Sequence, residues 1–182
     1  MGTMMSAIIG ERSFFELFSI PISWHIDRDL IETRYKQLQK QFHPDRFVTN
    51  VDAEKRLAAQ TAAFINDAYA TLISPLKRAQ YLLKLQGIEI DHENQTTSDI
   101  EFLTQQIALR EELADIEQLE APFEALNDLE KRLDKRYEEL QVDFEESFTA
   151  GNYGEAMNSV VKMQFFVKLL LQVELLDDKL IG

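Results

Sequence analysis

The chain has 182 residues, of which 45% are hydrophobic and 28% charged, a balance that excludes collagen-like, disulfide-scaffold and wholly disordered classes. Its 19 basic and 32 acidic side chains give a net charge of −13, which disfavours nucleic acid and anionic membranes as partners and points to proteins. Cysteine is absent, so disulfides, thiolate metal sites and cysteine nucleophiles are excluded.

Glycine is rare and strand-like alternation is not evident, so an all-α chain is expected. Met1–Gly10 holds a short apolar stretch with no basic residue before it, too little for a secretory signal, and a cytoplasmic protein is expected. Ser13 with Glu16 forms a capping-box pattern ahead of a short helix containing Phe14, Leu17 and Phe18. Asp27 caps a second helix in which Ile31, Tyr35, Leu38 and Phe42 share one face, and Pro44 ends it. A third helix is predicted from about Asp52 to Ile73, with Leu57, Thr61, Phe64, Ile65, Ala68 and Leu72 inward. Ser74 and Pro75 read as N-cap and first residue of a fourth, which stops at Gly87.

The polar run Asp91-His92-Glu93-Asn94-Gln95 interrupts the periodicity, so Gly87–Thr97 reads as a linker. Residues 1–90 carry 11 basic and 10 acidic side chains, and residues 91–182 carry 8 and 22, which gives net charges of +1 and −14. Two domains addressing different partners are expected. Beyond the linker, Ser98 and Glu101 make a second capping box for a helix to about Leu119, with Leu103, Ile107, Arg110 and Leu113 along one side. Pro122 starts a helix striped by Leu126, Leu129, Leu133, Tyr137, Leu140, Phe144 and Phe148, and Gly151 terminates it. Asn152 with Glu155 opens the last helix, striped by Val160, Met163, Val167, Leu170, Val173, Leu176 and Leu180. Three long amphipathic helices on short connections imply an antiparallel three-helix bundle, each helix roughly 30 to 45 Å long. Its Met163–Leu176 tract is interrupted by Gln164, Lys168, Gln172 and Glu174 and is no membrane span.

The sharpest local feature is His43-Pro44-Asp45 in the turn after the second helix, with Arg34, Lys36, Lys40 and Arg46 on or just after that helix. A proline-pinned loop presents His43 and Asp45 in a fixed relation that another protein can read. The blocks Phe14-Phe15-Glu16-Leu17-Phe18, Tyr35-Lys36-Gln37-Leu38, Phe42-His43-Pro44-Asp45-Arg46-Phe47 and Ile65-Asn66-Asp67-Ala68-Tyr69, with Leu72, resemble a J-domain over about residues 11–86. That resemblance implies docking of the His-Pro-Asp loop and the basic second helix on a DnaK-like chaperone ATPase, whose hydrolysis is stimulated. Downstream there is neither a Gly/Phe-rich linker nor a cysteine-rich module. Instead Ser74-Pro75-Leu76-Lys77-Arg78-Ala79-Gln80-Tyr81-Leu82-Leu83 and Leu109-Arg110-Glu111-Glu112-Leu113, followed by three helices, resemble the HscB family of iron-sulfur cluster co-chaperones over the whole chain.

The resemblance implies an N-terminal J-domain over 11–86, a linker over 87–97 and a scaffold-binding domain over 98–182. It implies two partners, an HscA-type chaperone ATPase and an IscU-type scaffold; whether the chain is a monomer or a weak dimer is left open by the sequence. His43, Pro44 and Asp45, with Arg34, Lys36, Lys40 and Arg46, would face the chaperone. Leu103, Ile107 and Phe165, with Glu111 and Asp115, would face the scaffold. Thr104 and Ala108 depart from the family pattern, which has a larger apolar and an acidic residue there.

Read without the resemblance, Leu103, Ile107 and Phe165 fit a buried stripe as well as a client surface. His43 has no matched nucleophile or acid nearby, and the three histidines, His25, His43 and His92, are far apart, so neither an enzyme nor a metal or cofactor site is expected. Two rivals keep the same elements. One is a J-domain adaptor for a different client with no iron-sulfur role, and the other a hydrolase built on His43 and Asp45.

Overall fold

A computed structural model describes residues 13–43, 45, 52–88 and 99–181. The chain divides into two compact units, Met1–Gln86 and Gly87–Gly182. Helices account for all the regular structure among the described residues. Most of the expected linker, residues 89–97, lies outside them.

In the first unit, helix α1 (Phe14–Leu17) is closed by the reciprocal cap read from the sequence: Glu16 N–H donates to Ser13 Oγ at 3.2 Å and Ser13 N–H to Glu16 Oε2 at 2.7 Å. Phe15 and Phe18 are completely buried, while Phe14 stacks on Tyr81 at 4.3 Å and donates its N–H to that phenol oxygen at 2.9 Å. Burial pushes the Tyr81 hydroxyl above its ordinary pKa. Helix α2 (Arg28–Phe42) is capped by Asp27, whose carboxylate accepts from Leu30 N–H at 2.9 Å. It buries Ile31 and Phe42, leaves Tyr35 and Leu38 half-buried, and ends at His43, whose backbone is extended as a residue before proline must be.

Helix α3 (Asp52–Ile73) runs antiparallel to α2: Tyr35 stacks on Tyr69 at 4.0 Å and Gln39 Nε2 donates to Asn66 Oδ1 at 3.3 Å. Its core side is Ala58, Thr61, Ile65, Ala68 and Leu72, with Leu57 and Phe64 half-buried. Helix α4 (Pro75–Leu85) starts on Ser74, whose Oγ accepts from Lys77 N–H. Arg78 is buried there, donating to the Leu72 carbonyl at 2.5 Å beneath the Trp24 ring.

In the second unit, helix α5 (Ile100–Asp115) is capped by Asp99; Ser98, the expected start of its capping box, lies outside the described residues. Asp99 accepts from Phe102 N–H at 2.9 Å and also meets Lys162 Nζ at 2.8 Å, a charged anchor that a serine cannot supply. At 16 residues α5 is about 24 Å long, shorter than expected, because the chain tightens into a 3₁₀ turn at Ile116–Gln118.

Helices α6 (Pro122–Thr149) and α7 (Tyr153–Ile181), at 28 and 29 residues, form a long antiparallel hairpin. Leu126, Leu129, Leu133, Leu140 and Phe144 of α6 are buried as predicted, and Tyr137 and Phe148 half-buried. Gly151 (φ 75°) donates to the Phe148 carbonyl, and Asn152 N–H to that of Ser147, closing a Schellman turn. Because that backbone is left-handed, Gly151→Ala is expected to lower stability by about 1 kcal/mol in urea unfolding of the full chain.

The predicted stripe of α7 is displaced in its middle. Phe166 and Leu169 are buried, whereas Val167 is 37% exposed and Leu170 only half-buried.

Candidate functional site

The two sets of candidate residues fall on different units. On the first, α2 and α3 are fastened to each other at Tyr35–Tyr69 and at Asn66, which accepts from Tyr35 Oη at 3.1 Å. This clasp sets the direction in which α2 delivers the turn after it. At that turn the side chains of His43 and Asp45 are 57% and 85% exposed, so neither is held by the core. Asp45 N–H donates to His43 Nδ1 at 3.3 Å, which places the ring proton on Nε2 and leaves Nε2–H as a donor for a partner. The Asp45 carboxylate lies 3.6 Å from the same nitrogen, beyond hydrogen-bond distance. Pro44 and Arg46 lie outside the described residues.

The basic residues of α2 divide in use. Arg34 donates to the carbonyls of Phe18 and Ser19, the latter at 2.8 Å, and so closes the end of α1. Its guanidinium serves the fold of the unit. Lys36 is exposed and pairs with Glu32 at 2.6 Å; that hydrogen bond draws the Glu32 carboxyl below its ordinary pKa and the Lys36 ammonium above its own. Lys40 is exposed one turn nearer the loop.

On the second unit, α5 has two apolar faces. Phe102, Leu113 and the adjoining Ile116 are buried and Leu109 half-buried, and their spacings of seven, four and three residues put them on one core side. Leu103 and Ile107 are 38% and 57% exposed, on the outer face, so the stripe expected to include Leu103, Ile107 and Leu113 does not exist as one face. Leu103, Ile107, Glu111 and Asp115 follow at four-residue intervals, and both carboxylates are exposed, so they form one outward row. Ile100, 78% exposed three residues before Leu103, extends it. A residue in a helix's first turn carries no periodicity of its own, so spacing does not mark Ile100.

Phe165 behaves differently from the other scaffold candidates. It is 7% exposed, packed edge-on against Phe102 at 5.6 Å with Arg110 over its ring at 5.4 Å. It supports the outer face from behind.

Lys162 bonded to Asp99, with Phe102 N–H donating to the same carboxylate, holds the Asp99 carboxyl below its ordinary value. A depressed carboxylate contributes stability above its unfolded pKa of about 4 and loses it as pH falls through the folded value. Acid titration of the wild type followed by circular dichroism is therefore expected to show loss of structure in that window beginning at a higher pH in Asp99→Asn. Equal acid midpoints would remove the tie from the packing of α5.

Among the described residues no group of His, Asp and Glu has metal-binding geometry, and no helix is long and apolar enough to cross a membrane. Two family models match the chain: a DnaJ domain over residues 14–81, and the HscB C-terminal oligomerisation domain over residues 98–174. The Co-chaperone protein HscB homolog of Vibrio parahaemolyticus is 41% identical over 168 residues, 92% of this chain and 98% of that protein. The chain belongs to the HscB co-chaperone family. The structure of chaperone HscB from Vibrio cholerae superposes with a TM-score of 0.85 at 36% identity, covering 93% of this chain and 99% of that one. Human co-chaperone protein HscB gives 0.83 at 31% identity, over 91% and 82%. The fold is thus that of an HscB co-chaperone, a J-domain with a C-terminal helical domain.

Proposed function

We propose that this HscB-family chain stimulates the ATPase of an HscA-type, DnaK-like chaperone through its J-domain and brings to it an IscU-type iron-sulfur scaffold held on its C-terminal domain. The J-domain is read over 11–86, a linker over 87–97 and the scaffold-binding domain over 98–182, in a cytoplasmic protein without enzymatic turnover of its own. His43, Pro44, Asp45, Lys36, Lys40 and Arg46 form the chaperone contact, and Arg34 positions α1 beneath it. Leu103, Ile107, Glu111 and Asp115 form the scaffold contact, with Phe165 as its backing.

The observation that carries this reading is the second apolar face of α5. A helix that needs only one buried side nevertheless presents Leu103 and Ile107 to solvent, and acidic groups follow in the same row. Such a face suits a partner with an apolar spot beside basic residues.

Steady-state ATPase of the chaperone tests it. The chain and the scaffold together are expected to stimulate more than the sum of their separate effects. Simple additivity would reject delivery, and stimulation by the chain without any binding of scaffold would assign the α5 face to another client. Hydrolysis by the chain in the absence of chaperone would reject the adaptor reading altogether.

A further inference from the structure

A cavity of about 460 Å³ opens between α6 and α7 beside the turn that joins them. Three carboxylates line it, Asp143 and Glu146 from α6 and Glu155 from the first turn of α7. Among the described residues none of the three forms an ion pair. Lys162 stands at the same cavity but is committed to Asp99 at 2.8 Å, so its charge is already matched.

The placement of these groups costs α6 stability. Asp143 and Glu146 are like charges three residues apart, and the last turn of the helix holds no basic residue to meet the negative end of its macrodipole. The surface there is short of a cation.

A second observation comes from a neutral group. Ser159 is 8% exposed and lines the same cavity, and its hydroxyl makes no hydrogen bond within the chain among the described residues. Hydroxyls inside helices ordinarily return to the carbonyl four residues back, as those of Thr61, Thr104 and Ser147 do at 2.8, 2.9 and 2.7 Å. A buried hydroxyl left out of that bond is costly unless something in the cavity meets it.

These groups define the chemistry of the occupant. Carboxylates, a free hydroxyl and a helix C-terminus are acceptors, so the ligand is a cation that carries N–H donors. The carboxylates do not converge: no group of His, Asp and Glu among the described residues has metal-binding geometry, so one metal ion does not satisfy them together. A chain of ammonium groups joined by methylenes does, and Leu140 and Ala150 add apolar wall for the methylenes. We propose that the cavity between α6 and α7 binds a linear polyamine, whose ammonium groups meet Asp143, Glu146 and Glu155 and donate to Ser159. The site includes neither the outward row of α5 nor the turn at His43, and nothing in it depends on the chaperone or scaffold assignments.

Isothermal titration of the full chain with spermidine in about 0.15 M salt tests the proposal. Saturable binding of one spermidine is expected, with a higher thermal unfolding midpoint in its presence. Asp143→Asn and Glu155→Gln should each raise Kd about threefold to tenfold, and Ser159→Ala on the order of tenfold. Ser159→Ala should unfold no earlier than the wild type, because alanine favours the helix and leaves no hydroxyl unmet, so loss of binding there is not loss of fold. Glu138→Gln removes the same charge from an exposed position of α6 outside the cavity and should leave Kd unchanged within about twofold. Absence of saturable binding would overturn the proposal, as would indifference to Ser159→Ala. Equal weakening by Glu138→Gln would do the same, by showing only general attraction to an acidic domain. Mg²⁺ that displaces spermidine at equal concentration would also overturn it, since the site would then be one for divalent cations.

Discussion

Asp45→Asn is expected to leave the chain folded and still able to bind scaffold, yet to reduce stimulation of the chaperone ATPase by on the order of tenfold or more. The structural half of the expectation rests on exposure. Asp45 is 85% exposed in its side chain, and its 3.6 Å approach to His43 is a surface contact of the kind that contributes little to stability. Unfolding midpoints of variant and wild type should therefore agree within about 0.5 kcal/mol. The functional half rests on charge. Asparagine keeps the size of the side chain and removes the anion, so only a partner that reads the carboxylate notices the change. A docking residue of this kind forms its strong hydrogen bonds after the water between the surfaces has left, and an unpaired cation left on the partner costs several kcal/mol. Lys36→Ala and Lys40→Ala should act in the same direction with smaller effect, since each is an exposed rim charge. Undiminished stimulation by Asp45→Asn would sink the J-domain mechanism for this chain.

The elements of the fold were legible wherever local chemistry decides them. Ser13 with Glu16, Asp27, Ser74-Pro75 and Gly151 mark helix ends through bonds between near neighbours, and each does in the structure what its type and spacing predict. Periodicity failed where two registers were open. Phe102 and Leu103 are adjacent and both apolar, so α5 could be read with either facing inward. The choice is made by Phe165 and Phe166, more than sixty residues away, which enclose the larger ring. The same contact explains α7. The buried arc of the helix begins with Ala156, Val160 and Met163 and then shifts to take in Phe165, Phe166 and Leu169, where Phe165 and Phe166 meet Phe102 of α5. A stripe of constant register then places Val167 wrongly, as it did.

The candidate site was legible as a set of residue types and less so as a set of roles. His43 and Asp45 stand exposed after α2, where the motif suggests. Arg34 carries the same charge as Lys36 and Lys40, yet its long planar head reaches back to two carbonyls at the end of α1. Sequence spacing distinguishes helix faces and not the destination of a side chain six bonds long. At the start of α5 the Asp99 carboxylate serves the helix end and Lys162 at once, a double use that spacing alone does not mark. The charge of −14 after residue 90 acquires a place on the surface from this too: part of it, Glu112 with Arg132 and Glu117 with Lys179, ties elements of the bundle together, while Glu111 and Asp115 remain exposed beside Ile107.

Leu103→Ala combined with Ile107→Ala is expected to weaken scaffold binding by about tenfold to a hundredfold while leaving the stability of the chain within about 1 kcal/mol of wild type. Both side chains are substantially exposed, so their truncation opens no cavity. In a complex they would be covered, and truncating a buried apolar anchor at an interface typically costs 1 to 2 kcal/mol or more, hence roughly tenfold for each. Phe165→Ala answers a different question. Its ring is 7% exposed and wedged against Phe102, so removal is expected to cost about 3 to 5 kcal/mol of stability, and any loss of binding would follow from disorder at the α5–α7 contact. Phe102→Ala should behave as Phe165→Ala does, since the two rings share one contact. Isothermal titration with scaffold and urea unfolding on the same four proteins separate the faces: the Leu103 and Ile107 pair should move binding alone, and the phenylalanine pair should move stability first. If the Leu103 and Ile107 variant binds scaffold as tightly as wild type, the outward row of α5 is not the client surface, whatever the chaperone assay shows.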